Sequence, residues 1–182
     1  MARIPYVEIE TAPPAAKDVL EKLPIKLNIF KMMAHAETNF RPLILLGTSI
    51  LSQQKLSPKL RELAILRVAA LSPARYEWVQ HVPIAQATGA TAAQIAALER
   101  GEITADTFDA TERAVLRFAT EVLCDVRASE AAFTEVARHL SAQEIVELVV
   151  TVGYYMLIAR ILETTAVDLD PPSGTTVVDA LR

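Results

Sequence analysis

The chain has 182 residues and a mass of 19.9 kDa; 52% of its residues are hydrophobic, only 5% are aromatic, and 18 basic against 22 acidic residues leave a formal net charge of −4. That length predicts one domain with a core large enough to need no covalent staple, and the acidic balance excludes the basic footprint of a nucleic-acid-binding protein. One cysteine excludes an intrachain disulfide, a Cys-x-x-Cys pair and a cysteine-based zinc site. The apolar excess consists of Ala, Leu, Val and Ile with only five glycines, which is the palette of closely packed helices. A small domain this apolar is also expected to bury a second surface, against another subunit.

In chain order, residues 1–12 read as extended, and Pro13-Pro14 start a short helix that Pro24 ends. Residues 25–35 hold a second short helical piece, and Phe40–Gln54 carries one apolar face (Leu43, Leu46, Ile50). Ser57-Pro58 pairs an N-cap serine with proline at the first helical position, opening a helix to Leu71. After Glu62 that helix is apolar except for Arg67. Ser72-Pro73 is read as opening the next helix in the same way, running to Thr88 with Gly89 as its stop. Thr91 with Gln94, Asp109 with Glu112 and Ser141 with Glu144 have the capping-box spacing. They open helices to Arg100, to about Cys124 and to about Ala166, and Ser129 opens one to His139. The stretch Leu148–Ala159 is uncharged, but at twelve residues it is too short for a bilayer span of about 20. It predicts a buried core helix, and with no signal-peptide pattern at the N-terminus the expected location is cytoplasmic, without membrane contact. The expected architecture is all-α with about eight helices. Residues 1–24 form an arm and short helix, 25–167 the helical domain, and 168–182 a tail that is an arm or disordered.

Candidate chemistry concentrates in residues 58–88. Glu77 and His81 are four apart and share a helix face, with Trp78 on the same side. A carboxylate beside an imidazole fixes its tautomer and favours its protonated form, the minimal arrangement for acid–base catalysis. The same spacing is common on solvated helix faces. Two features point beyond that reading. Pro83 lies inside the helical pattern two residues after His81. Glu62 and Arg67 sit in a helix too apolar for a surface position, and buried charges need partners.

The segment LSPKLRELAILRVAALSPARYEWVQHVPIAQATGAT resembles the signature region of the carboxymuconolactone decarboxylase family, with similarity extending over about residues 35–165. The resemblance implies an all-α, alkylhydroperoxidase D-like bundle that forms homo-oligomers, as trimers, hexamers or dimers. Redox members carry an upstream Glu, then Cys-x-x-Cys, then His. Here Glu62 and His81 match the outer positions, while Ala74 and Glu77 stand where the two thiols would be. The branch without the cysteine pair carries an acidic residue before the matching histidine, and this chain resembles that branch. By that likeness His81 is the candidate proton donor, and Glu77 or Glu62 orients it and keeps it charged. The implied activity is acid–base chemistry without a cofactor, as decarboxylation or proton transfer on a small carboxylated or lactone substrate. Arg67 is a candidate anchor for a substrate carboxylate, although it lies about 140° around the helix from Glu62. Trp78 and Tyr154 are further candidates for lining a substrate site. An alkylhydroperoxidase-type antioxidant activity and a non-catalytic assembly protein are the alternatives. Cys124 is expected to pack as a small apolar side chain. His35 and His139 lack convincing ligand spacing and read as surface or cap residues, so no metal is expected.

Overall fold

The computed structural model describes residues 1–179, apart from the side chains of residues 177 and 178. The described residues form ten helical segments and no strand. These are α1 (Pro14–Lys22), α2 (Asn28–Met33), α3 (Glu37–Gln53), α4 (Pro58–Leu71) and α5 (Arg75–Ala87), followed by α6 (Ala92–Glu99), α7 (Ala110–Asp125), α8 (Glu130–Val136), α9 (Ala142–Thr165) and α10 (Thr176–Asp179).

All three capping boxes form. Thr91, Asp109 and Ser141 each accept a bond from the amide three residues on, and Gln94, Glu112 and Glu144 each return one to the cap amide. Ser129 caps α8 by accepting from the Ala132 amide at 3.2 Å. Each such cap stabilises its helix by about 1 kcal/mol. The two Ser-Pro starts behave differently. Ser57 occupies the N-cap position of α4 but its side chain makes no cap bond, so Pro58 is the effective start signal. Ser72-Pro73 does not open α5, whose N-cap is Ala74. The Ser72 amide bonds Val68 O and the Ala74 amide bonds Ala69 O, both at 2.9 Å, so the end of α4 claims these residues first.

Helix α4 is the axis of the fold. Every residue from Arg61 to Ala69 is buried, and α5, α6, α7 and α9 all pack on it. A helix covered on all sides must be apolar all round, which explains its composition. One core cluster joins α4 to α7 and α9 through Ile65, Val68, Val115, Leu148 and Val152. Another joins α4 to α5, α6 and α7 through Leu63, Leu66, Trp78, Leu98 and Leu116. The third builds α1, α2 and the start of α3 against the end of α9, through Leu20, Met33, Phe40, Ile158 and Leu162. Burying each such large side chain contributes about 1.5–3 kcal/mol. At 24 residues α9 is long and apolar enough to cross a membrane by length and composition. Here Leu148, Val152, Tyr155, Ala159 and Leu162, spaced four and three apart, pack into the protein, as expected of a core helix.

Two expectations are corrected. The segment after α9 is not free up to Ser173, because it is tied down by side chains from α2 and α5. The Asn28 amide donates to Asp170 Oδ2 at 2.7 Å, and Tyr76 donates its hydroxyl to the same oxygen. Gln80 donates to Asp170 O and Pro171 O, and accepts from the Ser173 amide and hydroxyl at 3.0 Å. Proline punctuation marks irregular backbone, but an irregular backbone that satisfies its polar groups can still be ordered. Residues 180–182 of the expected tail lie outside the described residues. Cys124 is exposed on the last turn of α7 rather than packed, since the apolar stripe of that helix runs through Val115, Phe118 and Ala119.

Candidate active site

The packing of α5 on α4 brings Glu62 and His81 together. His81 Nδ1 lies 2.8 Å from Glu62 Oε2, and Arg61 Nε donates to Glu62 Oε1 at 3.1 Å. Arg61 also reaches the Ile50 carbonyl at 3.4 Å. The three side chains are 2%, 0% and 8% exposed for Arg61, Glu62 and His81, so this is a buried charged array closed by its own partners. A carboxylate oxygen in this position accepts from Nδ1–H, which leaves the ring its Nε2 for another partner. Nε2 makes no hydrogen bond among the described residues. Tyr155 holds the ring from the side, in a T-shaped contact with centroids 4.8 Å apart.

His81 lines a cavity of about 120 Å³ between α2, α3, α5 and α9. Its walls are mostly apolar, with Leu27, Phe30, Met33, Ile44, Leu51 and Ile158 among them. Glu77, Gln80, Tyr154 and Tyr155 supply polar groups, and Ser173 of the docked tail adds one more. Glu77 is the unusual member. It is 3% exposed, and neither carboxyl oxygen has a hydrogen-bond partner among the described residues. Burial pushes its carboxyl well above the usual carboxylate range, and the charge of Glu163 pushes it the same way, so the neutral acid is favoured. Burial also raises the Tyr154 phenol, with Glu77 adding to it. Tyr154 donates to the Leu43 carbonyl at 3.2 Å and lies flat against α3 at Gly47, where a Cβ would come within 2.5 Å of its oxygen.

Of the residues singled out from the sequence, Glu62, Glu77, His81 and Tyr154 come together here. Glu77 and His81 share the cavity without bonding each other, and Glu62 on α4 is the partner of the imidazole. Arg67 is elsewhere. Its Nε donates to Thr120 Oγ1 at 2.9 Å on the α7 side of α4, where helical rotation from Glu62 carries it. Trp78 also points away, into the α4–α6 cluster, where it borders a separate depression with Ala69, Arg75 and Glu99. One step along the helix from Glu77 is about 100° of rotation, enough to take it round to the next neighbour. His35 Nε2 faces the Pro5 carbonyl at 2.7 Å, and His139 Nδ1 faces Thr111 Oγ1 at 3.0 Å. Ala74 is buried at the start of α5, and Cys124, the sole cysteine of the chain, lies outside the cavity.

Sequence reasoning missed Arg61, Gln80 and the wall supplied by α2. Arg61 had a visible signal: two adjacent charges at the head of an apolar helix must find partners inside. The others had none, since a buried glutamine is not distinguished locally from an exposed one.

Comparison with known proteins agrees with this architecture. Residues 39–121 match the model of the carboxymuconolactone decarboxylase family. No curated protein sequence matches the chain significantly. Among solved structures, an uncharacterised peroxidase-related protein with an alkylhydroperoxidase AhpD core from Ralstonia eutropha JMP134 superposes with a TM-score of 0.78 at 20% identity, covering 93% of this chain and 92% of its own. A peroxidase-related protein from Silicibacter sp. TM1040 gives a TM-score of 0.77 at 17% identity, with coverage of 93% and 92%. A cysteine-to-alanine variant of the debrominase Bmp8, in complex with 2,3,4-tribromopyrrole, gives 0.75 at 16% identity over 100% of both chains. At these identities the structures establish a shared fold. The central segment, residues 39–121, is thus similar to the carboxymuconolactone decarboxylase family, and over nearly its whole length the chain has the AhpD-like fold.

Proposed function

We propose that the protein is an enzyme using side-chain acid–base chemistry on a small lactone or other carbonyl compound, by decarboxylation or by proton transfer next to the carbonyl. The observation that carries this reading is the Glu62–His81 pair at the wall of an apolar cavity that also holds Glu77. In proton transfer, neutral His81 takes a proton from the carbon next to the carbonyl through Nε2, and Glu62 stabilises the imidazolium. The electron pair moves into the carbonyl, and the developing oxyanion accepts a hydrogen bond from the Glu77 acid. Return of the proton from His81 to the same or a conjugated carbon completes exchange or isomerisation. In decarboxylation the C–CO2 bond supplies the electron pair instead, and protonated His81 delivers the proton to carbon.

Reduction of a peroxide by a thiol pair has no thiol to work with at this cavity, because Ala74 and Glu77 occupy the two positions. Self-association belongs to the same proposal. It is supported by exposed apolar side chains on α9 (Val146, Val149, Val150, Leu157) and on the neighbouring α3 (Leu45, Leu46). The test follows α-proton exchange in deuterated water, and CO2 release, with a panel of unsaturated γ-lactones and their carboxylated derivatives. His81→Ala is expected to lower the rate by at least about 100-fold and Glu77→Gln by less. Unchanged turnover in both variants removes these residues from the chemistry.

A further inference from the structure

We infer that the cavity selects an uncharged, mainly apolar ligand with one hydrogen-bond acceptor, and that Glu77 is the donor that recognises that acceptor. The inference rests on the acid–base reading above and narrows its substrate class. Buried polar groups in folded proteins are almost always partnered, so an unpartnered one that faces a cavity is a candidate for pairing with what enters. Glu77 is such a group: it lines the cavity, it is almost wholly buried, and among the described residues neither of its oxygens has a partner. As a neutral acid it can donate one hydrogen bond.

The rest of the lining excludes charge. Among the described residues no lysine or arginine lines the cavity. The nearest guanidinium, Arg61, is buried behind Glu62 and paired with it. The imidazole at the wall, His81, has its Nδ1 paired with the same carboxylate. A substrate carboxylate would therefore lose its water without gaining a free cation, and an ammonium would face apolar walls and an acid that burial keeps neutral. The size agrees. A dry apolar cavity of roughly 150 Å³ accepts benzene, and about 120 Å³ suits a ring of five or six atoms bearing a carbonyl. For a lactone or cyclic ketone the carbonyl is the single acceptor. Bonded to Glu77, it would set the adjacent carbon before His81, since both side chains are on one face of α5. Of the two reactions considered, an uncharged substrate leaves proton transfer.

The experiment is a ligand-observed NMR titration at pH 7 with cyclohexanone, cyclohexanecarboxylate and cyclohexylammonium, on wild type, Glu77→Gln and Glu77→Leu. Cyclohexanone is expected to bind wild type and to bind Glu77→Gln within about threefold, because the amide still donates. In Glu77→Leu the affinity should fall about tenfold. The two ions should bind wild type at least about tenfold more weakly than the ketone. Failure of the ketone to bind wild type, equal binding of the carboxylate, or undiminished ketone affinity in Glu77→Leu would each overturn the inference; the first two need no variant. These are binding measurements, so they stand even if His81→Ala leaves turnover intact. Proton exchange seen only with a carboxylated lactone would sink this inference and keep the acid–base reading.

Discussion

Two buried glutamates sit on neighbouring helices of this protein, and their surroundings treat them in opposite ways. Glu62 on α4 is 0% exposed and has both oxygens occupied, by Arg61 and by His81. Glu77 on α5 is 3% exposed and has neither occupied among the described residues. The cost of burying a carboxylate is the same kind of desolvation in both cases, but Glu62 recovers it from two partners. For Glu77 the outcome is a raised pKa and a neutral acid. The pair thus separates into a group that holds another residue in place and a group left available to a ligand. Opposed carboxyl environments of this kind are how one fold provides both an orienting anion and a proton donor.

The contrast can be broken most severely at Glu62. Glu62→Leu leaves Arg61 buried without its carboxylate and frees the His81 ring, and it should destabilise the protein by about 3–5 kcal/mol in equilibrium urea unfolding. A loss under about 1 kcal/mol would show that the array contributes little to the fold. A smaller effect is expected from pH. Because the folded-state pKa of Glu77 is raised above an unfolded value of about 4.3, the native state holds a proton that the unfolded state releases. Its contribution to stability is full below that value and is lost as pH rises toward the folded pKa. Over that window wild type should lose stability relative to Glu77→Gln by up to about 1.4 kcal/mol per pH unit. Glu163 acts on Glu77 from α9, Tyr154 and Tyr155 of α9 are coupled to it, and His81 shares its cavity; none of them is altered by the substitution. Parallel pH curves for the two proteins would show that Glu77 is ionised in the fold. The smallest effect is Glu77→Leu. At about pH 4, where the acid is largely protonated in both the folded and the unfolded state, replacing it in this apolar wall should change stability by no more than about 1 kcal/mol, in either direction. A loss comparable to that of Glu62→Leu would mean that Glu77 has partners that the structure does not contain.

Helix punctuation was legible wherever it depends on a few adjacent residues. The capping boxes at Thr91, Asp109 and Ser141 are local hydrogen-bond closures, and each forms as the spacing predicts. Where two elements compete for the same residues, local reading failed, and Ser72-Pro73 went to the end of α4 instead of the start of α5. The tail failed for a related reason. Pro171-Pro172 does rule out a helix there, but Tyr76, Gln80 and Asn28, roughly 90 to 140 residues away, hold the segment across the site, and Ala2 and Tyr6 hold Asp168 at its start.

By itself the sequence determined the all-helical class, the buried character of α4 and α9, the absence of a thiol pair at the matched motif, and Glu62, Glu77 and His81 as the residues to watch. The class and the burial follow from composition and periodicity, while the thiol positions and the matching of Glu62 and His81 to a motif follow from the family resemblance. Only the tertiary structure decided how those three residues pair. It assigned Glu62 to His81, left Glu77 unpartnered, and turned Arg67 and Trp78 away from the cavity. The physical reason is rotation about the helix axis. Each residue step turns a side chain by about 100°, so which neighbour it meets depends on where the other helices pack, and no local pattern records that.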